Sequence, residues 1–251
     1  MSEQNTKSTK QGFPPYVETV NGKSGNVIID IPNVSSIYNI KKGQERVHFS
    51  NSGNDANDGF TPEKPKRNLD VFLNGLTGKT LVSTTGRGLS VVCIEKMEIP
   101  NEINILGVNG EPLFIVGSMT DDEESRSVLQ RRIWVTNCSA VALRRFTTAD
   151  VLFQNTSFKV QLCNMKLLRA SDHSDGYIED SELKSTAGST IYGETGSFLK
   201  MWRCNIDSAS FGTYLTRASV AYFGSGSINS KYSHAYASES FYYSNIEGVK
   251  P

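Results

Sequence analysis

No run of apolar residues in this chain approaches the ~20 that a membrane-spanning helix needs, so no membrane span is expected. The first residues, MSEQNTKSTKQ, are polar and lack the apolar stretch of a secretory leader, and neither a signal peptide nor a transit peptide is read there. An excess of charge is missing as well: Lys plus Arg and Asp plus Glu both number 26, and no basic block offers a footprint for nucleic acid. His48, His173 and His234 stand far apart and form no HxH or HExxH spacing. Cys93, Cys138, Cys163 and Cys204 are separated by 45, 25 and 41 residues, which excludes a zinc knuckle and a redox CxxC. This inventory therefore calls for no metal and no cofactor. Thiols so placed read as small buried hydrophobes in a chain made in a reducing cytoplasm.

What the sequence does contain is a loose repeat. From Phe146 onward a short polar step falls into one large apolar residue: LRRF closes at Phe146, QLCNM at Met165, IEDSEL at Leu183, MWRCNI at Ile206, YFGSGSI at Ile228 and YYSNI at Ile246. The intervals are 19, 18, 23, 22 and 18 residues. A period of that length, with no helical periodicity inside it and Ser, Asn and Gly at its corners, suits one coil of a parallel β-solenoid. The Leu ladder that a leucine-rich repeat would need is absent. The expected fold is all-β, a right-handed single-stranded parallel β-helix of roughly eight to ten coils.

Upstream, Arg46 to Leu76 has a distinctive order. Val47 and Phe49 alternate as in a strand, Asn51 to Gly59 is a loop saturated with Asn, Asp, Ser and Gly, and Pro62 and Pro65 follow. Leu69, Phe72, Leu73 and Leu76 then stand at i, i+3, i+4 and i+7, which predicts an amphipathic helix near residues 66–76. Further upstream, Asn21-Gly22 and Ser24-Gly25 are turn signals, and Val27 to Ile31 is a β-prone run stopped by Pro32. The domain reading is residues 1–45 as an extended arm and linker, and residues 46–251 as the solenoid, its first coil capped by the helix. A helix laid across the open end of a solenoid covers apolar lumen and unpaired strand edges.

Two resemblances attach to these segments. VNGKSGNVIID, through Val20, Asn21, Gly22, Lys23, Gly25 and Val27, resembles a signature near the N-termini of bacteriophage tail fibre, tailspike and baseplate-associated proteins, and implies that this arm attaches to a virion. The stretch from Val47 to Pro62, through Phe49, Ser50, Gly53, Asp55, Asn57, Asp58, Gly59 and Thr61, is similar to the entry of pectate-lyase-like parallel β-helices. Together they imply a virion protein assembled in the host cytoplasm, a homotrimer, with other tail or baseplate proteins and host-surface polysaccharide as partners.

Candidate chemistry is sparse. The Asn51 loop fails the EF-hand pattern, because its sixth and twelfth positions are Ala56 and Pro62. Asp121 to Glu124 reads as a solvated acidic loop. GSGSI at Gly224 to Ile228 lacks the helix that a nucleophile elbow requires. The one enzyme-like pair is Asp180 and Glu182, two apart on an expected strand and hence ~6.6 Å apart on one side of it. That lies within the ~5–9.5 Å used by paired carboxylates in glycoside hydrolysis. Asp172, Asp175 and Glu194 are the reserves. The C-terminal aromatics, among them consecutive Tyr242 and Tyr243, predict at least one ring pointing outward, suited to a protein interface or a sugar platform. The functional expectation is a structural or host-binding virion component, with a tailspike-type polysaccharide depolymerase as the alternative. A secreted adhesin is disfavoured by the polar N-terminus.

Overall fold

The computed structural model describes residues 19–20, 23–24, 37–232 and 235–244. The chain divides into two units, Met1–Val34 and Ser35–Pro251. In the first, Thr19–Val20 pairs antiparallel with Lys23–Ser24. Asn21, Gly22, Gly25 and Val27, the remaining positions of the attachment signature, lie outside the described residues.

The second unit is a parallel β-helix. Its first face is a nine-stranded sheet that runs from Arg46–Phe49 through Leu89–Cys93, Leu113–Val116, Val141–Arg144, Ser157–Gln161, Asp175–Glu179, Phe198–Trp202 and Val220–Phe223 to Phe241–Ser244. The second and third faces merge where a strand bends across both. The first half of Phe146–Gln154 pairs with Ser127–Leu129 and its second half with Ile133–Thr136. A short fourth sheet, Ile37–Ile40, Thr80–Ser83 and Asn109–Gly110, accompanies the early coils. Ile37–Ile40 thus belongs to the solenoid, which begins ahead of the boundary expected at residue 46.

Every rung places its apolar residues in columns, because side chains alternate across a strand and the pairing is parallel and in register. On the first face Val47, Val91, Ile115, Leu143, Val160, Ile178, Met201 and Phe223 form one such column, all buried. On the second face Met165, Leu183, Ile206 and Ile228 are consecutive partners, so four of the six residues marking the sequence repeat form a true ladder. Phe146 is displaced from it by two positions, Thr148 being the partner of Met165. Ile246 lies outside the described residues. Volume is traded between rungs: the Phe158 ring stacks on Phe153 at 3.8 Å, and its partner one rung on is Gly176, where an added Cβ would sit 2.0 Å from Phe158 Cζ.

The corners share a local code. Asn137, Asn155, Leu162, Asp180 and Arg203 adopt φ between 45° and 55°, a strained conformation for residues with a side chain. Each is followed by a small buried Cys, Thr or Ser: Cys138, Thr156, Cys163, Ser181 and Cys204. Its hydroxyl or thiol donates to the carbonyl two residues back, as Thr156 Oγ1 does to Gln154 at 2.8 Å and Ser181 Oγ to Glu179 at 2.8 Å. The same oxygen accepts an N–H from the neighbouring rung: Cys138 N–H donates to Thr156 Oγ1, Thr156 N–H to Ser174 Oγ and Cys163 N–H to Ser181 Oγ, each at 3.3 Å. These bonds satisfy buried backbone groups where the sheets stop, each contributing about 1 kcal/mol. All four cysteines are free and buried, as the sequence implied. Burial pushes the Cys93 thiol up to about 12 and those of Cys163 and Cys204 to about 11.

The helix spans Leu69–Asn74, shorter than expected. Lys66 instead forms a parallel bridge to Phe49, and Asn68 is extended. Leu69, Leu73 and Leu76 are buried, and the Phe72 ring lies 5.4 Å from that of Phe49. Beyond the helix, polar groups answer the edge of the third-face strand Ile103–Leu106. Asn104 N–H donates to Asn74 Oδ1 at 2.7 Å, Thr77 Oγ1 donates to Asn104 O at 3.2 Å, and Gly78 N–H donates to Leu106 O at 2.7 Å. The Asn51 loop closes on its own chain. Lys66 Nζ donates to the carbonyls of Asp55 and Asn57, and Asp55 Oδ1 accepts the N–H groups of Arg67 and Asn68 at 3.0 and 2.9 Å. Among the described residues no helix is long and apolar enough to cross a membrane.

Candidate functional site

Asp180 and Glu182 are not two residues of one strand. Asp175–Glu179 ends on the first face, Asp180 forms the corner at φ 49°, and Glu182 opens the second-face strand Glu182–Ser185. The alternation argument for a shared side fails because a left-handed residue intervenes. Asp180 is also committed: Arg203 Nε donates to Oδ1 at 2.5 Å and Nη2 to Oδ2 at 2.8 Å, while Nη2 reaches Glu179 Oε1 at 2.7 Å. The Arg203 guanidinium holds the Asp180 carboxyl below its ordinary range, the wrong direction for a general acid. Glu182 is exposed, stacked in register between Asn164 and Asn205. Of the reserves, Asp172 accepts from Gln154 Nε2 at 2.6 Å, Glu194 pairs with Arg169 at 2.7 Å, and Asp175 is exposed at the start of its strand. The acidic loop is not wholly solvated, since Arg145 Nε donates to Asp121 Oδ1 at 2.6 Å. No group of three or more His, Cys, Asp or Glu arranged to hold a metal occurs among the described residues.

The structure gathers a different set on the outer side of the first face. A groove of about 400 Å³ runs over rungs that carry Arg46, Ser90, Phe114, Ala142 and Lys159 in register. Small and apolar residues form its floor. Arg46 bounds one end, and Arg144, Arg145 and Lys159 the other; no carboxylate lines it. Two acids are engaged by lining cations, Asp121 with Arg145 and Glu179 with Lys159 at 3.1 Å. Arg144 Nε is buried and has no hydrogen-bond partner. At ~4.8 Å per rung, four steps from Arg46 to Lys159 span roughly 19 Å. A neutral chain thus concentrates cations in one place, which composition alone conceals. The signal was present only as outward positions of successive coils, between residues 46 and 161, and becomes legible once the register is known.

The outer side of the third face is different again. Asn104, Trp134, Leu152, Arg169, Tyr192, Tyr214 and Tyr236 form one outward column. Tyr214 and Tyr236 stack at 4.7 Å with 13° between their planes, and Tyr192 lies 5.5 Å from Tyr214. Phe211 leans on this ladder and on Tyr232. Of the consecutive pair, Tyr243 is exposed while the Tyr242 hydroxyl is buried, so the expectation of one outward ring holds. Searches against protein-family models, curated proteins and solved structures find no match for this chain.

Proposed function

We propose that this chain is a host-binding component of a bacteriophage virion, a rigid β-helical rod whose first-face groove holds an acidic surface polysaccharide without cleaving it. The observation that carries the reading is the groove itself: four cationic side chains over an apolar floor, with no free carboxylate among its lining residues. An extended anionic glycan would meet charge at both ends and supply a partner for the buried Arg144 Nε. Hydrolysis of the usual kind needs two carboxylates flanking the bond, one of them protonated, and the nearby acids are instead held by Arg and Lys. Placement on a virion rests on the resemblance of the Val20 to Val27 segment, with the arm as the docking element.

The test is calorimetric titration with hyaluronan and polygalacturonate hexasaccharides, run beside an assay for new reducing ends and unsaturated sugars. Binding is expected without product release. Arg46→Ala and Lys159→Ala should each weaken it by roughly fivefold to tenfold, and affinity should fall steeply with salt. Cleavage of either glycan, or affinity unchanged in both variants, overturns the proposal.

A further inference from the structure

The third face carries a second recess, of about 280 Å³, below the tyrosine ladder. Trp134 and Leu152 are neighbours in its outward column, and Trp134 is 37% exposed. Around them every cation is matched. Arg169 donates to Glu194 from Nη2 at 2.7 Å and from Nε at 3.3 Å, and Arg132 Nε lies 2.8 Å from Glu102. The side chain of Gln154, which also lines the recess, is held by Asp172. The first-face groove has cations in excess; this recess has planar polar pairs beside an aromatic and an aliphatic side chain.

We infer that this recess binds an uncharged sugar residue of a neutral glycan. Three properties of the site select that ligand. Paired guanidinium and carboxylate groups leave no net charge to attract an ion, yet their remaining N–H groups and lone pairs are fixed donors and acceptors for hydroxyls. A pyranose has one apolar C–H face, which Trp134 and Leu152 can cover, and a polar rim for the Arg169, Glu194 and Gln154 side chains. An extended peptide is disfavoured because Ile133–Thr136 is hydrogen-bonded on both sides, to Ile103–Leu106 and to Val151–Gln154, leaving no edge for strand addition. The Tyr192 to Tyr236 ladder continues the same column and offers further phenol edges to a longer glycan.

The chain has two tryptophans, so Trp202→Phe leaves Trp134 as the only indole reporter. That protein is titrated with maltohexaose, cellohexaose and mannohexaose in about 0.5 M NaCl, where contacts of the exposed groove are screened. At least one of the three should change Trp134 emission saturably, with a Kd on the order of 0.1–1 mM. Arg169→Ala should weaken that Kd at least about tenfold while Arg46→Ala leaves it unchanged, and circular dichroism establishes that both variants are folded. No saturable change with any of the three up to about 20 mM overturns the inference. So does a Kd unchanged by Arg169→Ala, or a response lost on Arg46→Ala, which would assign the signal to the groove instead.

Discussion

The two ends of the solenoid solve the same problem differently. At the N-terminal end the first strand of the nine-stranded sheet has its outer edge answered by its own loop: His48 N–H donates to Gly59 O, Lys66 N–H to His48 O and Ser50 N–H to Lys66 O. The third-face edge is met by Asn74, Thr77 and Gly78, and the lumen is closed by Leu69, Leu73 and Leu76. At the other end Gly226–Ser230, Ala235–Ser238 and Phe241–Ser244 are the outermost strands of the three faces among the described residues. Around them lie aromatic side chains open to solvent, Phe241 at 62%, Tyr243 at 55% and Tyr232 at 64%. One end is finished by loop backbone together with the Asn74 and Thr77 side chains, which imitate a missing rung, and the other displays rings. Covered edges resist strand addition, whereas exposed aromatic clusters are surfaces at which affinity is gained.

The largest effect that separates the ends is expected from paired truncations. Leu73 is fully buried beneath the first coils, and Leu73→Ala should cost about 2–5 kcal/mol by opening a cavity at the sealed lumen. Phe241→Ala removes a larger side chain from the opposite end, yet should cost under about 0.5 kcal/mol because most of it is already in water. Urea denaturation of both variants measures the difference. Equal losses would break the comparison, since they would mean that the rings at the C-terminal end are structural.

A smaller effect lies within the cap. Asp55 holds the turn into the helix, and its carboxyl is lowered from the ordinary 3.8, first by the Asn68 N–H and then by Arg67 N–H, the Asn68 side chain and the nearby Lys66 charge. Because the folded value lies below the unfolded one, the unfolded chain takes up the proton first as pH falls. The stabilisation is therefore complete above the unfolded value and disappears as pH drops through the folded value. Asp55→Asn should cost about 0.5–1 kcal/mol at neutral pH, at the low end for a capping carboxylate because the group is solvent-screened. Chemical denaturation from neutral pH downward should show wild type and variant converging in acid. A gap that persists there would assign the effect to packing.

These contrasts also mark what the sequence could disclose. The ladder from Met165 to Ile228 was legible because one column, buried as far as Ile206 and half-buried at Ile228, repeats the same residue class once per coil. Phe146 misled by two positions because it occupies the corner slot filled by Cys163 in the next coil, directly after a left-handed residue, and a large apolar side chain there imitates the ladder. The same left-handed corner at Asp180 defeated the carboxylate pair, since period-two reasoning holds only within an unbroken strand. The helix was visible from its i, i+3, i+4, i+7 face, but its N-terminal bound was not, because Lys66 is recruited to bridge Phe49. Neither binding surface was readable. Arg46, Arg144 and Lys159, or Trp134, Arg169 and Tyr214, meet only when coils of unequal length are brought into register.

The smallest effect, and the one that places the boundary of the sealed end, concerns residues 1–32. Among the described residues, the loop, helix and turn groups seen to close the first coil lie between Gly59 and Gly78, and the chain divides into its two units after Val34. Removal of residues 1–32 should therefore move the thermal midpoint of the solenoid by no more than about 1 °C, which corresponds to a few tenths of a kcal/mol. If the arm is the docking element, the same deletion should eliminate the protein from purified particles, because strand pairing with a partner would be lost while the rod stays folded. A large fall in the midpoint would show that the seal extends into the arm. An unchanged midpoint with normal incorporation would leave the seal where it is and remove the attachment role from the Val20 to Val27 segment.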